Sequence, residues 1–478
     1  MSGTQRVLWV LMTAMCLLFA PMAAEFYWIT ISEQTPTYAK VMAAAVSHDY
    51  AMGPTSGHAE MTPYWQSMPR FNQTVLGVHA VLATLALILG PFQFLPTLRR
   101  RRPRLHRGLG YAYFGAGVPA MLLAFVYLSI TPMDKIYGGA PFAVGLWGIA
   151  VLTTFTFCTG LFHIVRGEVQ AHKTIMVLNF GALLIAPLLR VWWIVLGWIF
   201  FTAEFNSQAT SHTAVLMFLG LETLVGAIVF MHVFEPTQRP SQSSEAIETF
   251  RRRTLSSLPV WTACAKPFGA LCAAVLCLQG VVRLHGGPDV LTEYRDPESL
   301  VRELNVFATH APFFWSQTLG LALFYGATPG VITDLFGTAR PRPARRYLMV
   351  GGVLATCIGW LGLAHGFGMD GPGGWGASVY WVVLASTSLL FLMLHLNSLR
   401  QCSDRQAREF VLHLCALMLV PVTVGVGQTL FLWAGFGWED AFLSAAVIAT
   451  SLNLSFSYYY TVYGARGVPQ RAQRQRAA

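Results

Sequence analysis

The sequence predicts an all-α protein, a polytopic transmembrane helix bundle of about 12 spans, and three observations carry that expectation. Hydrophobic residues fill 54% of the 478 positions and charged residues only 11%, where soluble chains carry about a quarter charged. The apolar residues come in blocks of about 20, the length that crosses ~30 Å of hydrocarbon. Basic residues gather in alternate loops, as bilayer topology requires. A soluble enzyme with one hydrophobic anchor is excluded. The eight cysteines form no CxxC pair and no CxxCH, so a disulfide framework, a zinc ribbon and a covalently attached c-type haem find no support.

In chain order the apolar windows lie near 8–29, 74–96, 109–131, 142–164, 174–200, 213–234, 259–282, 311–336, 347–368, 377–397, 409–434 and 441–463. The first window also reads as a signal peptide, with Arg6 and then Met22-Ala23-Ala24 before Glu25. Its apolar stretch runs on through Phe26-Tyr27-Trp28, and retaining it gives two halves of six spans. With the N-terminus inside, most of the 32 basic residues fall on the inner side. They are Arg6, the run Arg99, Arg100, Arg101, Arg102, Arg104 and Arg107, then Arg166 and Lys173, Arg239 to Arg253, Arg340 to Arg346, Arg400 to Arg408 and the tail after Arg466. The expectation is an inner (cytoplasmic) membrane protein with both termini cytoplasmic. The net charge of +10 is then topological, and with no binding motif beside it a nucleic-acid partner is not expected. The partners implied are the lipid bilayer and, through the Arg99–Arg107 run, anionic phospholipid at the cytoplasmic face.

Three segments follow: a first six-helix half (1–235), a polar linker (236–258) containing Pro240-Ser241-Gln242-Ser243-Ser244, and a second half (259–478) read as a degenerate repeat. The echo is Ala-Leu-Leu-Ile-Ala-Pro at Ala182 to Pro187 against Ala-Leu-Met-Leu-Val-Pro at Ala416 to Pro421. Repeats of this kind are common in transporter folds.

The histidines fall into layers. His106 and His172 open alternate spans at the inner level, and His79 lies ~7 Å into its span at the outer level, with His212 as the best partner. Two neutral imidazoles from facing helices at one depth are what a b-type haem needs. The leading expectation is therefore transmembrane electron transfer through haem b in the first half, with a quinone or another redox carrier as partner. If the protein is an enzyme, it is then a membrane haem-dependent oxidoreductase. The competing account is that histidines near helix ends only anchor them at the headgroup boundary.

Buried charge forms a second set. Arg190 and Glu222 sit on sequential antiparallel spans, about 10 Å apart in depth by the helical rise, and Lys266-Pro267 falls in the seventh span. A charge in hydrocarbon costs at least ~2.5 kcal/mol, so it faces a partner or a wet cavity. These three residues support the alternative of a solute or proton-coupled transporter. A non-catalytic assembly or sensor protein is the third class. The outer loop from Ser32 to Asn72 mixes Tyr, Trp, Met and His in a way that suits a small solute or copper, although Met52, Met61 and Met68 are too scattered for a metal site by spacing. No nucleophile–base motif, phosphate loop or HExxH is present.

The second to fifth spans carry a recognisable combination: His79, then Gly90-Pro91-Phe92-Gln93-Phe94, the arginine-rich turn, His106-Arg107-Gly108-Leu109-Gly110 with Tyr113, and His172 with Met176 reaching Arg190. Over about residues 70–235 this resembles a bacterial family of predicted multi-pass membrane proteins filed as a domain of unknown function. Its pattern is an intramembrane His, a GPFQF-like helix end, HRxxGxxY, and HRxWM reaching an Arg. Lys173, Ile175 and Leu178 depart from it, and Gln406 takes the place of His172 in the second half. The resemblance implies an architecture and a residue set, and no reaction.

Overall fold

The computed structural model describes residues 3–31, 36–200, 297–336, 343–369, 374–401 and 404–463, with a few single positions between 267 and 281. Among these there is no strand. The chain divides into two compact units, Met1–Thr237 and Gln238–Ala478.

The first unit begins with α1 (Gly3–Ile31) and three short helices, α2 (Thr37–Ala45), α3 (His48–Met52) and α4 (Gly57–Ser67). Ser47 and Ser56 start α3 and α4 by accepting hydrogen bonds from Tyr50 N and Ala59 N, the side-chain caps that let such short helices begin. The long helices follow: α5 (Arg70–Gln93), α7 (Pro103–Ile130) and α8 (Gly139–Val165), with α6 (Pro96–Arg101) in the arginine-rich turn. Pro103 opens α7 at a position where its missing N–H costs nothing. The unit then continues through α9 (Val169–Leu183) and α10 (Ile185–Phe200).

In the second unit the described helices are α11 (Pro297–Thr309), α12 (Ala311–Phe336), α13 (Pro343–Met369), α14 (Gly374–Arg400), α15 (Asp404–Met418), α16 (Val420–Trp433) and α17 (Trp438–Tyr463). The order of lengths repeats that of α5 to α10. A 27-residue helix (α8, α14) is followed by a 15-residue one (α9, α15) and then by a short one set at an angle. The bends are 47° at Leu184 and 40° at Leu419. Pro187 and Pro421 explain them, since each ring removes a backbone donor and collides with the carbonyl four residues back.

The protein is a multi-pass membrane protein, but twelve straight spans are not what the described residues contain. Among the described residues six helices are long and apolar enough to cross a bilayer, or eight if each bent pair is one span. The windows near 174–200 and 409–434 are therefore broken helices. In α1 the described apolar stretch is Trp9–Glu25. The windows near 213–234 and 259–282, and with them His212, Glu222 and Lys266, lie outside the described residues.

Candidate functional site

The first unit encloses a cavity of about 340 Å³, within the ~300–1,000 Å³ that small-molecule sites occupy. Its walls come from α1, α5, α7, α8 and α10, including Phe19, Leu76, Leu87, Met121, Leu128 and Ile149. Helices α2 and α4 roof it with Tyr38, Met42, Met61, Tyr64 and Trp65. Two strongly polar side chains of the membrane helices face it, His79 and Arg190.

The roof is pinned to α10. Tyr50 donates to Trp193 O at 2.8 Å and Trp198 donates to Ala45 O at 2.7 Å. Gly197 leaves room for the Tyr50 ring, which any Cβ there would meet at 2.9 Å. At the other edge Gln73 donates to Trp65 O at 2.8 Å, and Tyr137 stands edge-on to Tyr64 at 5.8 Å. Burial pushes the Tyr137 phenol up, with the Glu60 carboxylate adding to the effect. Burial likewise raises Tyr38, with Arg190 opposing it. Both phenols are neutral hydroxyls at physiological pH.

Arg190 lies over the rings of Phe19 and Tyr38, at 5.6 and 5.7 Å from their centroids. Those cation–π contacts stabilise it by ~0.5–2 kcal/mol each. Among the described residues no carboxylate pairs with it. His79 donates its Nδ1–H to Ala120 O at 2.7 Å; a carbonyl only accepts, so this ring nitrogen carries the proton and Nε2 is left as an acceptor. Sequence spacing had set His79 opposite His212 and Arg190 opposite Glu222. The structure brings His79 and Arg190 to one cavity, while His212 and Glu222 lie outside the described residues.

A second polar cluster lies toward the arginine-rich end, where the motif residues meet. His172 donates its Nδ1–H to Gly160 O at 2.8 Å and stands within electrostatic range of His106. Gln93, from the GPFQF segment, puts its amide oxygen 3.5 Å from where a Cβ on Gly110 would be. One helical turn separates His106 from Gly110, so Gln93 of α5 approaches the face of α7 that carries His106. Deeper in, Tyr113 donates to Asn179 Oδ1 at 2.6 Å, and Asn179 Nδ2 donates to Thr156 Oγ1 at 2.9 Å and Thr153 O at 3.2 Å. Of the Arg99–Arg107 run only Arg99 is partly buried, within electrostatic range of His106; Arg100, Arg101, Arg102, Arg104 and Arg107 are exposed.

Other motif positions are packing devices. A Cβ at Gly90 would enter the Phe180 ring, one at Gly117 the Phe157 ring, and one at Gly160 would meet Met176 Sδ at 2.6 Å. His163 sits 2.6 Å from Glu168 Oε2, and Arg166 approaches Oε1 of the same carboxylate at 3.5 Å, tying the turn between α8 and α9. No cluster of three or more metal-ligating side chains is found among the described residues. Asn179 gave no sequence signal as a site residue, because an amide in an apolar helix looks the same whether it faces a neighbour or lipid; Gln93 stood out only as part of the GPFQF segment, and the roof tyrosines only as part of the Ser32–Asn72 loop.

Fold and residue set together define a multi-pass helical membrane protein with a roofed cavity in its first unit. Residues 76–234 match the family described as "Predicted membrane protein (DUF2306)", the stretch in which the sequence motifs lie, and the chain is similar to that family there. That description names no activity. No curated protein matches the chain, and no solved structure matches it.

Proposed function

We propose that the first unit binds a small amphipathic anion, its apolar body in the cavity and its charged head against Arg190. The observation that carries this reading is a guanidinium on a mostly apolar cavity with aromatic rings, but no carboxylate, beside it among the described residues. An uncompensated Arg at membrane depth costs at least ~2.5 kcal/mol, and an anion bound there offsets that cost through charge-assisted hydrogen bonds of ~1.5–3 kcal/mol. Binding of this kind suits a transporter, the class in which the sequence places Arg190, and equally a sensor.

The test uses the full chain in nanodiscs, with decanoate and its uncharged methyl ester as probes and Trp fluorescence as readout, since Trp65 and Trp193 line the cavity. Decanoate should bind saturably, and Arg190→Ala should weaken it about 10- to 100-fold, the equivalent of ~1.5–3 kcal/mol, while leaving the ester unchanged. Equal decanoate binding by both proteins, or none by the wild type, overturns the proposal.

Electron transfer stays as a second reading on one observation. His79 and His172 each commit Nδ1–H to a backbone carbonyl, the arrangement that fixes a metal-ligating imidazole. His79 is the single histidine on the cavity among the described residues, so those residues do not supply an axial pair there. Haem there would have to draw on the His106 and His172 end. Protein expressed with ample haem and lacking a Soret band removes this reading.

A further inference from the structure

We infer that the arginine-rich end of the first unit holds a phosphate-type oxyanion between Gln93, His106 and Arg99, at a site separate from the Arg190 cavity. Gln93 Nε2 and His106 Nδ1 are both fully buried, and neither meets a hydrogen-bond partner among the described residues. Such groups are rare, because leaving one unmade costs ~1–3 kcal/mol. These two come from different helices, α5 and α7, with Gln93 approaching the face of α7 that carries His106. The amide nitrogen can only donate, so what it lacks is an acceptor. Arg99 is half-buried and stands within electrostatic range of His106, as does His172, which adds a positive charge when protonated.

Charge decides the sign of the ligand. The groups around the pair are arginines, five of them exposed along the same turn. The nearby carboxylate, Glu168, is committed to His163 and Arg166. A metal cation would enter a field of like charge, whereas an oxyanion gains from it. Phosphate fits the donor set: an amide and an imidazole each reach one oxygen, and the guanidinium reaches a second in its planar fork. Gly110 leaves the approach open, since a Cβ there would meet only the Gln93 side chain. Two sources carry this phosphate chemistry, a lipid headgroup of the facing leaflet and the free ion.

The full chain is tested in neutral phosphatidylcholine nanodiscs, titrated in one arm with inorganic phosphate and prepared in the other with phosphatidic acid, with native mass spectrometry and the histidine NMR signals as readouts. One saturable equivalent should bind and shift His106. Binding in the first arm alone assigns free phosphate, and in the second alone a lipid headgroup. Gln93→Met, which keeps the volume and removes the donor, should weaken binding at least tenfold, as should Gln93→Glu, while Arg100→Gln leaves it within twofold. Absence of saturable binding in both arms overturns the inference. So does equal loss in Arg100→Gln and Gln93→Met, the mark of a diffuse charge layer, or a stoichiometric Soret band from haem on the same histidines. If both Gln93 variants fail to fold, the wild-type His106 shift and the Arg100→Gln comparison still decide.

Discussion

Helices α5 and α7 of the first unit and helices α12 and α13 of the second hold corresponding places in chain order, yet they meet in different ways. In the second unit the backbones touch. A Cβ on Gly320 would strike Thr356 N, one on Gly352 would lie 2.6 Å from Phe324 N, and one on Gly359 would meet Gln317 N. Small residues used this way let membrane helices approach closely. In the first unit a Cβ at Gly77 or at the exposed Gly115 would meet nothing within 4 Å, and Gly90 and Gly117 receive the rings of Phe180 and Phe157 from α9 and α8. There a side chain links the two helices, His79 to Ala120 O, and the cavity opens beside that link. One pair sets its glycines against the partner's backbone, while the other turns them to rings of neighbouring helices and sets a histidine and, from α10, an arginine on an open cavity.

The largest expected effect breaks the closed pair. Gly320→Val forces the α12 and α13 backbones apart and should lower stability by about 3 kcal/mol or more, read as loss of monodisperse protein in detergent. Gly115→Ala in the open pair should stay within 1 kcal/mol of wild type. Equal losses would remove the distinction between the two. Next comes the buried network under the cavity. Tyr113→Phe leaves Asn179 short of a donor and should cost about 1–2 kcal/mol in thermal unfolding.

A smaller effect compares the two bent spans. His172 reaches back from α9 to Gly160 O, and His395 reaches forward from α14 to Ala407 O, both at 2.8 Å. The same helix pair is clasped by a histidine on opposite partners. His172→Phe and His395→Phe should each cost about 1 kcal/mol, and a far larger loss for one would give it a role beyond the clasp. The smallest effect concerns the roof. Burial holds His58 below its ordinary range, so its neutral form is favoured in the folded state. Its contribution is present above about pH 6.5 and falls as pH drops toward the lowered value. Protection factors in α4, taken relative to the intrinsic exchange rate at each pH, should fall between pH 7.5 and 5.5 in wild type and less so in His58→Gln.

The all-helical membrane character was plain from block length and loop charge, and His79, His106, His172 and Arg190 drew notice because polar groups in apolar spans are costly. Which of them face each other was not legible. Depth was counted along straight helices at ~1.5 Å per residue, and the 47° bend at Leu184 redirects the helix that carries Arg190. The sequence shows Pro187, but a proline does not declare the direction of its kink. The roof helices escaped notice for a different reason. At 5 to 11 residues they are too short for a hydrophobic period to emerge from the stretch between Ser32 and Asn72. The Ala182–Pro187 and Ala416–Pro421 echo, read in the sequence as a sign of duplication, spans both bends, while the exchange of His172 for Gln406 hid the clasp that His395 supplies.

The most direct measurement is a cryo-EM map of the full chain in native-lipid nanodiscs at a resolution that shows side chains around Arg190. The account predicts an elongated non-protein density in the cavity with one end against the guanidinium, absent in Arg190→Ala. A carboxylate of the protein itself on Arg190, such as Glu222, with the cavity filled by side chains, would contradict it.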